Sequence, residues 1–132
     1  MKKFKIMLFI SIVVLLTSCS STTTFPVSSL VPAAEISAKK TKQGKTNYLI
    51  TLKATNLSSP ERLAPPQKLY IIWAVSKAGV TRNVGYFINK NAEESVYKAS
   101  FPYEPVEVFI TAETKEDLCK PLGIEITRVK LK

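Results

Sequence analysis

The chain has no histidine, and only two cysteines and four glycines among its 132 residues. Without imidazole it lacks the commonest general base, the commonest transition-metal ligand and the usual switch near neutral pH. Two cysteines cannot build a four-thiolate zinc site or a disulfide framework. With glycine only at 44, 79, 85 and 123, there is no Gly-rich loop to cradle a phosphate. No apolar run reaches the ~20 residues that a spanning helix needs. Acidic side chains are scarce too, 10 against 19 Lys and Arg, for a net charge of +9. What is present, 45% apolar residues in a length suited to one domain, is the composition of a folded globular module.

The N-terminus has a separate character. Lys2, Lys3 and Lys5 precede Ile6 to Leu16, an apolar run of eleven residues broken only by Ser11. A basic segment followed by a run of that length is an export signal rather than a membrane span. The run ends in Leu16-Thr17-Ser18-Cys19, which resembles a bacterial lipobox: an aliphatic residue, two small residues, then the cysteine that is modified. The resemblance implies cleavage between Ser18 and Cys19, with the Cys19 sulfur carrying diacylglycerol and palmitate-type acyl chains. Two or three such chains anchor stably where one alone is marginal. Ser20, rather than Asp, follows the cysteine, which by the same resemblance implies outer-membrane sorting in a Gram-negative cell. Removal of residues 1–18 takes three lysines and lowers the net charge to +6.

Residues 19–30 combine the lipidated cysteine with a Ser/Thr-rich stretch that reads as a flexible tether. A domain over 31–132 follows. Its apolar residues alternate with polar ones in short runs separated by turn signals. These runs predict strands over 34–39, 48–55, 69–75, 80–89, 95–101, 106–113 and 123–131. Leu69 to Val75 is apolar throughout, as befits a central strand covered on both faces. Pro60, Pro65 and Pro66 exclude a helix interior or a central strand between the second and third runs. In the last run Ile124 and Ile126 share one face while Val129 and Leu131 share the other, so a bulge is expected near Thr127-Arg128. Seven strands in about 100 residues predict an all-β sandwich.

From Tyr70 to Glu125 the pattern is Tyr70-x-x-Trp73-Ala74, Asn83-Val84-Gly85-Tyr86-Phe87, Val108-Phe109-Ile110-Thr111-Ala112-Glu113 and Pro121-Leu122-Gly123. It resembles the extracytoplasmic module of anti-sigma-K-type regulators and of small bacterial lipoproteins that share it. The resemblance implies a seven-stranded immunoglobulin-like antiparallel sandwich with Trp73 mid-strand in the core and Gly85 admitting close packing. It transfers no catalytic residue. Sigma-factor inhibition does not come with it, because the sequence shows neither a sigma-binding domain nor a spanning helix ahead of the module.

No catalytic or metal-binding set emerges, and no cofactor is expected beyond the covalent lipid on Cys19. Cys119 lacks a histidine base and is either an inert loop thiol or a redox or dimer-forming one. Glu93-Glu94 and Glu113-Glu116-Asp117 lack calcium-loop spacing and are expected to be solvated charges. Alternation places Phe109 and Tyr86 outside the core, as a candidate partner surface on adjacent strands. Lysines at 39, 40, 42 and 45 suit anionic lipid or an acidic envelope polymer, not nucleic acid, in a protein held outside the cytoplasm. The expectation is a non-catalytic envelope lipoprotein, lipid-anchored and facing the periplasm or the surface, that acts as a structural or protein-interaction module. The alternative is a small ligand-binding or accessory subunit of an envelope enzyme or transport complex.

Overall fold

The computed structural model describes residues 20–89 and 93–132, so Ser18, Cys19 and the expected export signal lie outside the described residues. Each run of alternating residues forms a strand: β2 (Glu35–Gln43), β3 (Asn47–Thr55), β4 (Leu69–Ser76), β5 (Thr81–Phe87), β6 (Ser95–Phe101), β7 (Pro105–Glu113) and β8 (Ile124–Lys130). An eighth strand precedes them. Ser20–Thr24, expected as flexible tether, is β1 and pairs antiparallel with β2, Ser20 opposite Thr41 and Thr24 opposite Ser37. The sandwich therefore has eight strands among the described residues, not seven.

Two antiparallel sheets form, one in the order β1-β2-β3-β6 and the other β5-β4-β7-β8. Setting β1 aside, β2-β3-β6 faces β5-β4-β7-β8. This is an immunoglobulin-like order, with β4, β7 and β8 in the places of the C, F and G strands and β5 beside them as a C′ strand. Ile36, Ala38, Ile50, Leu52, Ala54 and Phe101 from the first sheet meet Tyr70, Ile72, Ala74, Val108, Ile110 and Ala112 from the second. These are alternate residues along each strand, so period-2 patterning alone builds the core.

Two bulges keep apolar residues in phase. Ile110 pairs with Thr127 and Thr111 with Glu125, leaving Ile126 as the extra residue on β8. The bulge expected near Thr127-Arg128 is thus centred one residue earlier, and Ile126, Val129 and Leu131 all reach the core. On β5, Ile72 pairs with Gly85 and Trp73 with Asn83, so Val84 bulges and both Val84 and Phe87 pack inward. Gly85 has φ +145°, and a Cβ there would lie 1.9 Å from the Tyr97 hydroxyl. Glycine at this position therefore lets β6 close against β5. The Tyr97 ring stacks on Phe87 at 6.4 Å across the same lateral edge.

Alternate connections gather at opposite ends of the sandwich. The β2–β3, β4–β5 and β6–β7 turns are tight and lie at one end. The longer β1–β2, β3–β4, β5–β6 and β7–β8 connections lie at the other. Pro60–Arg62 forms a short 3-10 turn in the β3–β4 connection, with proline at its start where no amide hydrogen is needed. Tyr70 donates a 2.6 Å hydrogen bond to the Ser58 carbonyl. Asn89 donates to the Leu57 carbonyl and accepts from Ser95 Oγ at 2.6 Å, so one buried amide ties the β5–β6 connection to the β3–β4 connection and to the start of β6.

Candidate functional site

The outward face of the β5-β4-β7-β8 sheet carries the residues expected to form a partner surface. Parity along β4 puts Leu69, Ile71, Trp73 and Val75 on this face, opposite to the inter-sheet core. There they form a second apolar cluster with Phe109 and Leu118. Trp73 is fully buried as implied, but on this outer face and not between the sheets. Its indole stacks on Phe109, centroids 6.0 Å apart and planes 13° from parallel. The Arg128 guanidinium lies 4.0 Å above the other face of Phe109. It is fixed there by Glu107 and Glu125 at 2.6 Å each. Burial alone would lower the Arg128 pKa, but hydrogen bonds to these two carboxylates outweigh it and raise it. Phe109 is therefore only 4% exposed and cannot serve as an open docking residue.

Tyr86 is 39% exposed but does not neighbour Phe109, because β4 runs between β5 and β7. Its phenol hydrogen-bonds the Glu116 carboxylate, which raises its pKa. Tyr86 thus belongs to the attachment of the β7–β8 loop, 114–123, which folds back over the sheet. The Asn83 amide donates to the carbonyls of Glu116 at 2.9 Å and Leu118 at 3.2 Å. Leu118 caps the apolar cluster.

A buried relay anchors the other end of this loop. Trp73 Nε1–H donates to Thr111 Oγ1 at 2.8 Å, and that hydroxyl donates to Glu113 Oε2 at 2.6 Å. The Glu113 carboxylate in turn accepts from the Leu122 amide at 3.3 Å. Glu113 is 2% exposed, so it is no solvated loop charge. Gly123 follows directly, and a Cβ there would come within 2.0 Å of the Ala112 carbonyl oxygen. Glu116 and Asp117 stay exposed. Cys119 projects from the same loop as an exposed free thiol.

The tight-turn end has a different chemistry. Ser20 starts β1 here, beside Thr41, and Ser21 Oγ donates to the Lys132 carbonyl at 3.4 Å. Lys42, Lys45, Lys77 and Lys130 are exposed at this end and make no ion pair among the described residues. Arg82 sits 5.5 Å over the Tyr103 ring, and Tyr103 meets Phe101 edge-on. A groove of about 390 Å³ opens between the turns, flanked by Lys45, Tyr48, Lys77 and Tyr103. Among the described residues only Glu104 and Glu107 bring side-chain carboxylates here, and both are paired, with Lys40 at 3.4 Å and Arg128 at 2.6 Å.

Compared with known proteins, the chain matches no family model, no curated protein and no solved structure. The candidate site therefore rests on geometry and on the sequence.

Among the described residues, the large exposed apolar side chains in the long-loop connections are Val27, Leu30, Ile88 and Leu122. A groove of about 290 Å³ runs between Leu30, Leu63 and Ile124. Among the described residues no group of three or more His, Cys, Asp and Glu could hold a metal ion. Lys39, Lys40, Lys42 and Lys45 do gather along β2 and its turn, as the sequence pattern implied. The aromatic partners in this region, Tyr48 and Tyr103, were missed in the sequence, because they lie in different hairpins and only the sheet pairing Tyr48 with Phe101 brings them together.

Proposed function

We propose that the chain is a lipid-anchored, non-catalytic lipoprotein of the bacterial cell envelope, a structural or protein-interaction module held at the outer membrane and facing the periplasm or the surface. The observation that carries this reading is the junction at Cys19. Three lysines, an eleven-residue apolar run and Leu16-Thr17-Ser18-Cys19 precede it, and the first residue after it already belongs to the folded sandwich. Acyl chains on Cys19 would hold a rigid module at the bilayer surface and not one on a long leash.

A non-catalytic role fits what the side chains do. The chain contains no histidine. Its buried carboxylate, Glu113, is taken up in fixing the β7–β8 loop. Arg128, the side chain most heavily engaged with carboxylates, roofs Phe109.

The test is detergent phase separation of the chain expressed in a Gram-negative host. The unaltered chain partitions into the detergent phase and incorporates labelled palmitate, whereas Cys19→Ser does neither. Partition of both chains into the aqueous phase would refute the anchor.

A further inference from the structure

We propose that the tight-turn end of the sandwich seats on the anionic phospholipid headgroups of the bilayer that holds the anchor, leaving the long-loop end pointing away. This rests on lipidation at Cys19 and adds an orientation and a ligand chemistry to it.

One peptide bond separates Cys19 from Ser20, about 3.8 Å between Cα atoms. Ser20 is already paired with Thr41 in β1. A lipid on Cys19 therefore draws the β1 start, and with it the neighbouring turns, to within about one Debye length of the headgroups, ~8 Å at physiological salt. At ~3.3 Å per residue, strands of this length carry the opposite end roughly 25 Å further out, beyond that range.

Lys42, Lys45, Lys77 and Lys130 are exposed at the tight-turn end, without ion pairs among the described residues. Arg82 adds a fifth positive charge beside Tyr103. The two side-chain carboxylates at this end among the described residues are already paired. The other acidic residues, including Glu35, Glu61, Glu94, Glu116 and Asp117, lie toward the long-loop end, where they offset the exposed cations Arg62, Lys68, Lys115 and Lys120.

Tyr103 is 45% exposed and Val80, in the β4–β5 turn, 40%. Tyrosine with lysine suits the headgroup layer, where an apolar ring and a polar tip are both accommodated. The groove between Lys45 and Lys77 has room for a headgroup phosphate, and the carboxylate on its wall, Glu104, is paired with Lys40.

The experiment uses the full lipidated chain reconstituted in vesicles of phosphatidylcholine with or without phosphatidylglycerol, carrying a quencher on the headgroups. One fluorophore is placed on the native Cys119 at the long-loop end. In a second sample it is placed on Ala78→Cys in a Cys119→Ser background, in the β4–β5 turn. The label at 78 should be quenched more strongly than the label at 119, the contrast should be clearly larger on phosphatidylglycerol vesicles than on pure phosphatidylcholine, and that gain should fade at high salt. Each lysine near an anionic surface contributes roughly a fivefold factor, so joint Lys42→Gln, Lys45→Gln and Lys77→Gln substitution should weaken seating on the order of a hundredfold. Far-UV circular dichroism checks that this variant is folded, and the salt series on the unaltered chain does not depend on it. Equal quenching of the two labels on a chain that floats with the vesicles overturns the seating and leaves the anchor standing. So does a contrast indifferent to phosphatidylglycerol and to salt. A chain that floats with neither vesicle and carries no lipid mass on Cys19 overturns the anchor, and the seating with it.

Discussion

Thr111 lies mid-way along a chain of three buried groups, and its hydroxyl is the only part that can serve both neighbours. It accepts from the Trp73 indole and donates to the Glu113 carboxylate. Thr111→Val keeps the shape and strand preference but leaves the buried Trp73 N–H without a partner and takes one donor from the Glu113 carboxylate, which keeps the Leu122 amide. An unsatisfied buried donor costs about 1–3 kcal/mol and a lost hydrogen bond to a charged group adds to it, so a loss of about 2–4 kcal/mol is expected in urea titration. Tyr70 supplies a pH dependence. Burial pushes its phenol from 10.0 up to about 12. The unfolded chain releases this proton first, so the contribution is fully present below pH 10 and is lost as pH rises toward 12. Stability should fall through that window by up to about 3 kcal/mol more in the native chain than in Tyr70→Phe, as measured by thermal melts at each pH.

Among the elements, β1 and the β7–β8 loop are where pattern and structure part. β2 to β8 were legible because one face of each is apolar, and burying that face fixes register. β1 offered no apolar alternation: Ser20-Ser21-Thr22-Thr23-Thr24 has a tether's composition. Threonine is nevertheless β-branched and favours extended backbone, and the open edge of β2 supplied the partner. Of these residues Thr23 turns inward and buries Oγ1 without a hydrogen-bond partner. Thr23→Val should therefore stabilise the fold by about 1 kcal/mol, read as a raised urea midpoint with unchanged slope. The β7–β8 loop hid a different fact. Alternation correctly separated Phe109 from the inter-sheet face, while Trp73, expected in the core, proved to lie on the outer face with it; alternation carries no information about what covers that face. Leu118 is the loop's one half-buried apolar contribution to that cover, and Asn83, Tyr86 and Glu113 hold it through polar contacts that leave no periodic trace. The expected Tyr86–Phe109 surface was for this reason a loop attachment and a small core.

At the level of the whole molecule, the antiparallel strands sort connections to two ends, and the sorting separates charge as well. Tight turns with lysine and tyrosine adjoin the start of β1, and long loops with most carboxylates stand opposite. Neither grouping is visible along the chain, since residues 45, 77 and 103 are brought together only by strand order. The account of this polarity as orientation at a bilayer depends on one covalent event. The decisive measurement is the intact mass, with N-terminal fragment sequencing, of the chain purified from the membranes of a Gram-negative host. The account predicts a chain that starts at Cys19 and carries the mass of a diacylglycerol thioether with or without a third acyl chain. A chain that starts at any other residue, or an unmodified Cys19, would contradict it.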